Sequence, residues 1–104
     1  MILYEVNLTI ANEIFNQYMA WLRPHIQEML NFEGFIKADI YENAEQEGDK
    51  TTIVAAYYVN NLDNLQRYLS EMSASMRADG IKRFGDKCVA TRRILTLTES
   101  YVAD

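Results

Sequence analysis

The sequence predicts an α+β fold of the ferredoxin-like type, a four-stranded antiparallel sheet with two helices on one face, in the order βαββαβ. Three observations predict it. Ile2, Tyr4, Val6, Leu8 and Ile10 alternate with Leu3, Glu5, Asn7 and Thr9, the two-residue period of a strand with one face on a core. Two apolar stripes at helical spacing each lie between strand-like segments. A polar stretch holding Gly48-Asp49 separates the two middle strand-like runs and makes them a hairpin.

Taken in order, the first strand runs from Ile2 to Ile10. Asn12 is placed to cap the first helix, whose stripe is Phe15, Met19, Leu22, Ile26 and Met29. Pro24 removes a backbone donor inside that stripe, so a kink or a division into two helical pieces is expected. Asn31 to Gly34 ends the element. The second strand, Phe35 to Glu42, sets Ile36, Ala38 and Ile40 on one face and Phe35, Lys37, Asp39 and Tyr41 on the other. Asn43 to Lys50 is the hairpin loop. The third strand, Thr51 to Val59, is apolar almost throughout, as expected of a central strand covered on both faces. Asn60 or Asn61 caps the second helix, with the stripe Leu62, Leu65, Leu69, Met72 and Met76. Asp79-Gly80 interrupts it, although Ile81 and Phe84 extend the apolar side by a turn. The last strand runs from Cys88 to about Thr98, giving one domain over residues 1–98 and a tail over 99–104.

At 104 residues the chain is one domain, able to bury roughly 65% of its unfolded surface. A hydrophobic fraction of 49% with 12% aromatics is globular in character. The net charge of -5 repels phosphate backbones, which argues against nucleic acid as a partner. Leu3-Tyr4-Glu5-Val6-Asn7-Leu8 is similar to the first-strand motif of RNA-recognition domains, but Tyr4 falls in phase with the core face instead of the open one. The lone Cys88 favours a reducing compartment, and the start MILYEV has no signal-peptide character. The longest apolar run, Ile53 to Val59, is too short to span a membrane. A cytoplasmic protein without a membrane partner is expected.

In this topology both helices cover one face, and the Glu5/Asn7 face is left open. It carries Leu3, Phe35, Tyr41 and one phase of the third strand, a patch that calls for a covering surface. A second copy packed sheet against sheet as a homodimer supplies one, and the site of action is expected on this side. Glu5 and Asn7 must then be paired, wet or lining a polar pocket. The doublet Arg92-Arg93 puts one guanidinium on each face, either for an ion pair in the dimer seam or for an anionic ligand. Trp21, Tyr57, Glu5, Asn7 and Arg92 are the candidate ligand-binding residues.

His25 is the single histidine and the candidate acid or base. It lies four residues after Trp21 and seven after Tyr18, so the three share one side of the helix. Such a row either walls a pocket or marks a helix boundary whose polar tips reach water. No metal set has convincing spacing, the loop acids Glu42, Glu45, Glu47 and Asp49 included, and no glycine-rich phosphate loop or nucleophile motif occurs. No cofactor is implied.

The opening MILYEVNL, Trp21-Leu22, His25-Ile26, Gly34-Phe35, Tyr57, Tyr68-Leu69, Arg83-Phe84-Gly85-Asp86 and Arg92 give the chain its likeness to known proteins. It resembles a bacterial family of unknown function, about a hundred residues long, in the dimeric α/β-barrel superfamily. In that family a proline follows the His-Ile pair; here Gln27 stands there and Pro24 precedes His25. The resemblance implies the ferredoxin-like fold and the sheet-to-sheet dimer. The superfamily is similar to cofactor-free monooxygenases, muconolactone-isomerase-like proteins, haem-degrading enzymes and amino-acid-sensing domains, so it implies no single chemistry.

The expected function is a homodimeric small-ligand-binding or accessory protein. The alternative is a cofactor-independent enzyme of monooxygenase or isomerase type on a small aromatic or carbonyl compound. In it His25 is acid or base, Arg92 stabilises an anion, and Trp21 and the tyrosines form the walls. A structural or protein-interaction module is the third reading.

Overall fold

A computed structural model describes residues 1–46 and 48–104, so Glu47 lies outside the described residues. Strand β1 (Ile2–Ala11) leads through a 3-10 turn into helix α1 (Phe15–Met29), then β2 (Phe35–Glu42) and β3 (Lys50–Val59). Helices α2 (Leu62–Glu71) and α3 (Ser73–Phe84) follow, and β4 (Cys88–Thr96) closes the sheet. The strand order is β2-β3-β1-β4, antiparallel throughout, which is the ferredoxin-like arrangement. Residues 97–104 have no regular secondary structure.

The alternation of β1 is realised without exception. Ile2, Tyr4, Val6, Leu8 and Ile10 are buried, while Leu3, Glu5, Asn7 and Thr9 are half-buried. From α1 the core receives Tyr18, Met19, Leu22, Ile26 and Met29, and from α2 Leu65 and Tyr68. Tyr4, Phe32, Phe35, Tyr57 and Tyr68 form one aromatic cluster, with ring centroids 5.0–6.3 Å apart. Such tilted and edge-on pairs add about 0.5–1.5 kcal/mol each beyond the area they bury.

The structure departs from the sequence expectations at several elements. Pro24 does not divide α1, which is one continuous helix. Pro24 and Ala20 both lie on the exposed side, so the carbonyl that loses its amide partner can be hydrated. Asn12 does not cap α1; it sits in the 3-10 turn, where its Oδ1 accepts from the Thr51 hydroxyl. Asn61 does cap α2, accepting the Asn64 amide at 2.9 Å. The second helical region breaks at Met72 and runs unbroken through Asp79-Gly80, so three helices cover the sheet.

A register shift between Phe35 and Lys37 puts Phe35 opposite Val59 and Lys37 opposite Tyr58. The extra residue, Ile36, flips Phe35 from the open face into the aromatic cluster. Strand β3 is buried on both faces only in part. Ile53, Ala55, Tyr57 and Val59 lie under the helices, whereas Val54 and Tyr58 on the other face are half-buried.

Gly34 joins α1 to β2 at φ +88°, and its carbonyl accepts the Asn60 amide at 2.8 Å. A Cβ there would stand 2.6 Å from Asn60 Oδ1 and Asn64 Nδ2. Gly34→Ala is therefore expected to cost more than about 1 kcal/mol in urea unfolding, since it adds backbone strain to a steric clash. An unchanged midpoint would show that this junction does not constrain the fold.

Candidate functional site

A hollow lies on the helix-covered side of the sheet, across the sheet from Glu5 and Asn7. It is a cavity of about 290 Å³ between the sheet, α1 and α3. Its floor is built from rows set by strand register. Arg92 lies beside Val6 and Val6 beside Ala55; Ala90 lies beside Leu8. Alanines at positions 55 and 90 leave room where larger side chains would fill the core. Tyr4, Tyr18, Trp21, His25, Tyr57 and Tyr68 supply aromatic walls.

Helix α1 contributes the row recognised in the sequence. Trp21 and His25 stack with ring centroids 4.6 Å apart at 23°, and Tyr18 packs against Trp21 at 5.6 Å. The indole is fixed from across the cavity. Its Nε1 donates to Asp79 Oδ2 at 2.8 Å, and the same oxygen accepts from Arg83 Nε at 2.8 Å. That pair of bonds, the Trp21 bond foremost, holds the Asp79 carboxyl below its usual range. Gly80 is where the ring presses on α3: a Cβ there would approach the indole to 2.7 Å. The close approach explains a glycine inside a helix, where it ordinarily costs about 1 kcal/mol.

Burial is the main cause of the altered acidities in the cavity. It pushes the Tyr18 and Tyr57 phenols well above their ordinary range and Tyr68 up to about 12. All three remain protonated, and so can donate, at neutral pH. Burial also holds the His25 imidazole below 6.5; the Arg92 charge adds to this, and Glu28 opposes it. His25 is thus neutral at physiological pH and able to accept a proton. The Cys88 thiol is raised by burial and is no activated nucleophile.

The structure brings together His25, Trp21, Tyr57 and Arg92 around this cavity. Glu5 and Asn7 lie across the sheet from it, with their own partners. Arg93 Nε donates to Glu5 Oε1 at 2.8 Å, and Asn7 Nδ2 donates to the same oxygen at 3.1 Å. The Arg92-Arg93 doublet does divide between the faces, and Arg93 is the member that meets Glu5. Arg77, Tyr4, Tyr68 and Gly80 also line the cavity, and the sequence does not single them out for it. Arg77 became visible only with α3 running on from Ser73, since Ser73, Met76, Arg77, Gly80 and Phe84 then share one helical side. Among the described residues no cluster of histidine, cysteine and acids could hold a metal ion.

A ferredoxin-like sheet covered on one face by helices defines a class of small α+β proteins, and comparison places the fold of the chain within it. The chain belongs to the family described as a domain of unknown function (DUF4286), which matches residues 1–98. No curated protein matches it. Among solved structures it is similar to a candidate antibiotic biosynthesis monooxygenase of Deinococcus radiodurans, at TM-score 0.70 and 16% identity, covering 100% of this chain and 99% of that one. A candidate antibiotic biosynthesis monooxygenase of Bacillus cereus gives 0.69 and 15%, over 100% and 98%. A mutant form of SnoaB, a cofactor-independent oxygenase of Streptomyces nogalater, gives 0.68 and 12%, over 95% of each chain. At these identities the likeness establishes the fold.

His25 is the only histidine, so its imidazole proton resonances report the site directly. Their titration midpoint is expected below 6.5, and Arg92→Gln is expected to move it up. The sign for stability follows from linkage: the unfolded chain binds a proton first as pH falls. The stability due to neutral His25 is complete above 6.5 and is lost as pH drops from 6.5 to the folded midpoint. A midpoint at or above 6.5 would place the ring in water rather than in the cavity wall.

Proposed function

We propose that this protein is a homodimer that binds a small organic ligand in the cavity between the sheet, α1 and α3. The observation that carries the reading is the cavity itself. Its floor is kept open by Ala55 and Ala90, and its walls combine aromatic faces with convergent polar groups, the ordinary composition of a ligand pocket.

The dimer reading rests on the opposite face. Leu95, Leu3 and Tyr58 form one row across the open side, and Asn7, Val54 and Tyr41 another. Among the described residues no second layer covers them. Glu5 is already paired with Arg93 and Lys37 with Asp39, so a partner sheet meets charges that are largely compensated. One sheet face has about the area that a standard interface needs, near 800 Å² per partner. Among the described residues no helix is long and apolar enough to cross a membrane. The lone Cys88 favours a cytoplasmic setting, and the acidic chain argues against nucleic acid.

A cofactor-independent enzyme is the second reading, favoured by the neutral His25 standing in the same cavity as Arg92. The fold shared with SnoaB is compatible with it. His25 would take a proton from an activated carbon or hydroxyl, and Arg92 would stabilise the resulting anion. A structural module is the remaining reading; a filled, dry cavity would favour it.

Fluorescence of Trp21, the single tryptophan, separates these readings against a panel of small aromatic compounds. Saturable quenching is expected, abolished by Ala90→Phe, which fills the cavity from an edge strand. Persistent binding in that variant would move the site elsewhere. Conversion of a bound compound, reduced about 10²–10⁴-fold by His25→Ala, would select the enzyme reading. Conversion that His25→Ala leaves unchanged would remove the histidine from the chemistry.

A further inference from the structure

We propose that the cavity selects a planar aromatic anion, one or two rings bearing a carboxylate or a comparable acidic oxygen, received by Arg92 and Arg77. The inference rests on the ligand-binding reading above and adds the charge and shape of the ligand.

The chain carries a net charge of -5, yet the charged side chains lining this cavity are two arginines, with no carboxylate among them. Ion pairs elsewhere use Arg67, Arg83, Arg93, Lys37 and Lys87. Among the described residues neither Arg77 nor Arg92 has an acidic partner. Arg77 donates one bond, from Nη2 to Tyr4 Oη at 3.0 Å, leaving most of its donors uncommitted. The two arginines come from different layers, Arg77 from α3 and Arg92 from β4, and both line the space between sheet and helix.

The electrostatics agree with that placement. The positive charge of Arg92 reaches Tyr18, His25, Tyr57, Tyr68 and Cys88, favouring negative charge throughout the cavity and opposing a charged imidazole. A cationic ligand would meet like charge here. An anion would gain charge-assisted hydrogen bonds from planar forks suited to carboxylates. Shape follows from the walls. Trp21, His25, Tyr4 and Tyr57 all line the cavity and make its walls rich in planar rings. A volume of about 290 Å³ is at the small end for ligand pockets, which limits the ligand to one or two rings. The second hollow, about 120 Å³ beside α2, lacks this character, because its Arg67 is held by Glu33 at 2.9 Å.

The test titrates the full chain with 2-naphthoate and its neutral isostere 2-naphthamide, read by Trp21 fluorescence and by calorimetry at low salt. Naphthoate is expected to bind at least about tenfold tighter than the amide. That advantage should shrink as salt is added. Arg92→Gln should remove it, weakening naphthoate far more than naphthamide; Arg77→Gln should reduce it. Arg23→Gln, on the exposed side of α1, should change neither affinity. Arg92 is solvent-exposed and outside the packed core, so its variant is expected to keep the parent melting curve. Equal affinity for the two compounds, or an advantage that survives Arg92→Gln, overturns the charge assignment and leaves the cavity a neutral ligand site. Binding of neither compound at millimolar concentration overturns the inference and the ligand-binding reading together.

Discussion

The hydrogen-bonded register that holds β1 between β3 and β4 decides which side chains meet which layer. Tyr4 lies opposite Tyr57 and Ile94, Val6 opposite Ala55 and Arg92, Leu8 opposite Ile53 and Ala90. A slip of one residue would exchange these rows for Leu3, Glu5 and Asn7, putting a carboxylate under the helices and the Tyr4 ring in water. The apolar half of β1 is almost wholly buried, so that exchange would cost several large side chains their burial, at about 1.5–3 kcal/mol each. The cavity and the open face both depend on this one alignment.

Adjacent residues consequently do unrelated work. Arg93 pairs with Glu5 on the outer face, while Arg92, one peptide away, stands over the cavity floor. On the helix side, the contact of Trp21 with Gly80 and its bond to Asp79 tie α1 to α3 across the cavity. An exposed ion pair such as Asp79–Arg83 contributes little stability by itself. Its value is positional, because it fixes the oxygen that the indole N–H must find.

The sequence disclosed the strands, the first helix stripe and the row Tyr18-Trp21-His25, because each is periodic and local. It also disclosed that the doublet would divide between faces. Which arginine went where was not legible, since that depends on the register of β4 against β1. The bulge at Ile36 was hidden for a similar reason: an extra residue leaves no mark on an alternating pattern, yet it carries Phe35 into the core. Reading Asp79-Gly80 as a break followed propensity, but close packing against Trp21 compensates for the glycine. A break there leaves Arg77 outside any helical row, so its place in the cavity lining is not legible in the sequence. The Glu5 side stands out in the sequence because that face lacks cover. A cavity under helices depends on small residues at particular rows, and alanines in a strand do not announce themselves.

The most direct test of the division between the two faces is a crystal structure of the protein grown with a brominated two-ring aromatic acid, the bromine located by its anomalous scattering. The bromine is expected beneath α1 and α3, with Trp21 and Arg92 in contact with the compound and the Leu3–Glu5–Tyr58 face covered by a second copy. Bromine found against Glu5 and Asn7, or that face bare to solvent in every copy, would contradict the division.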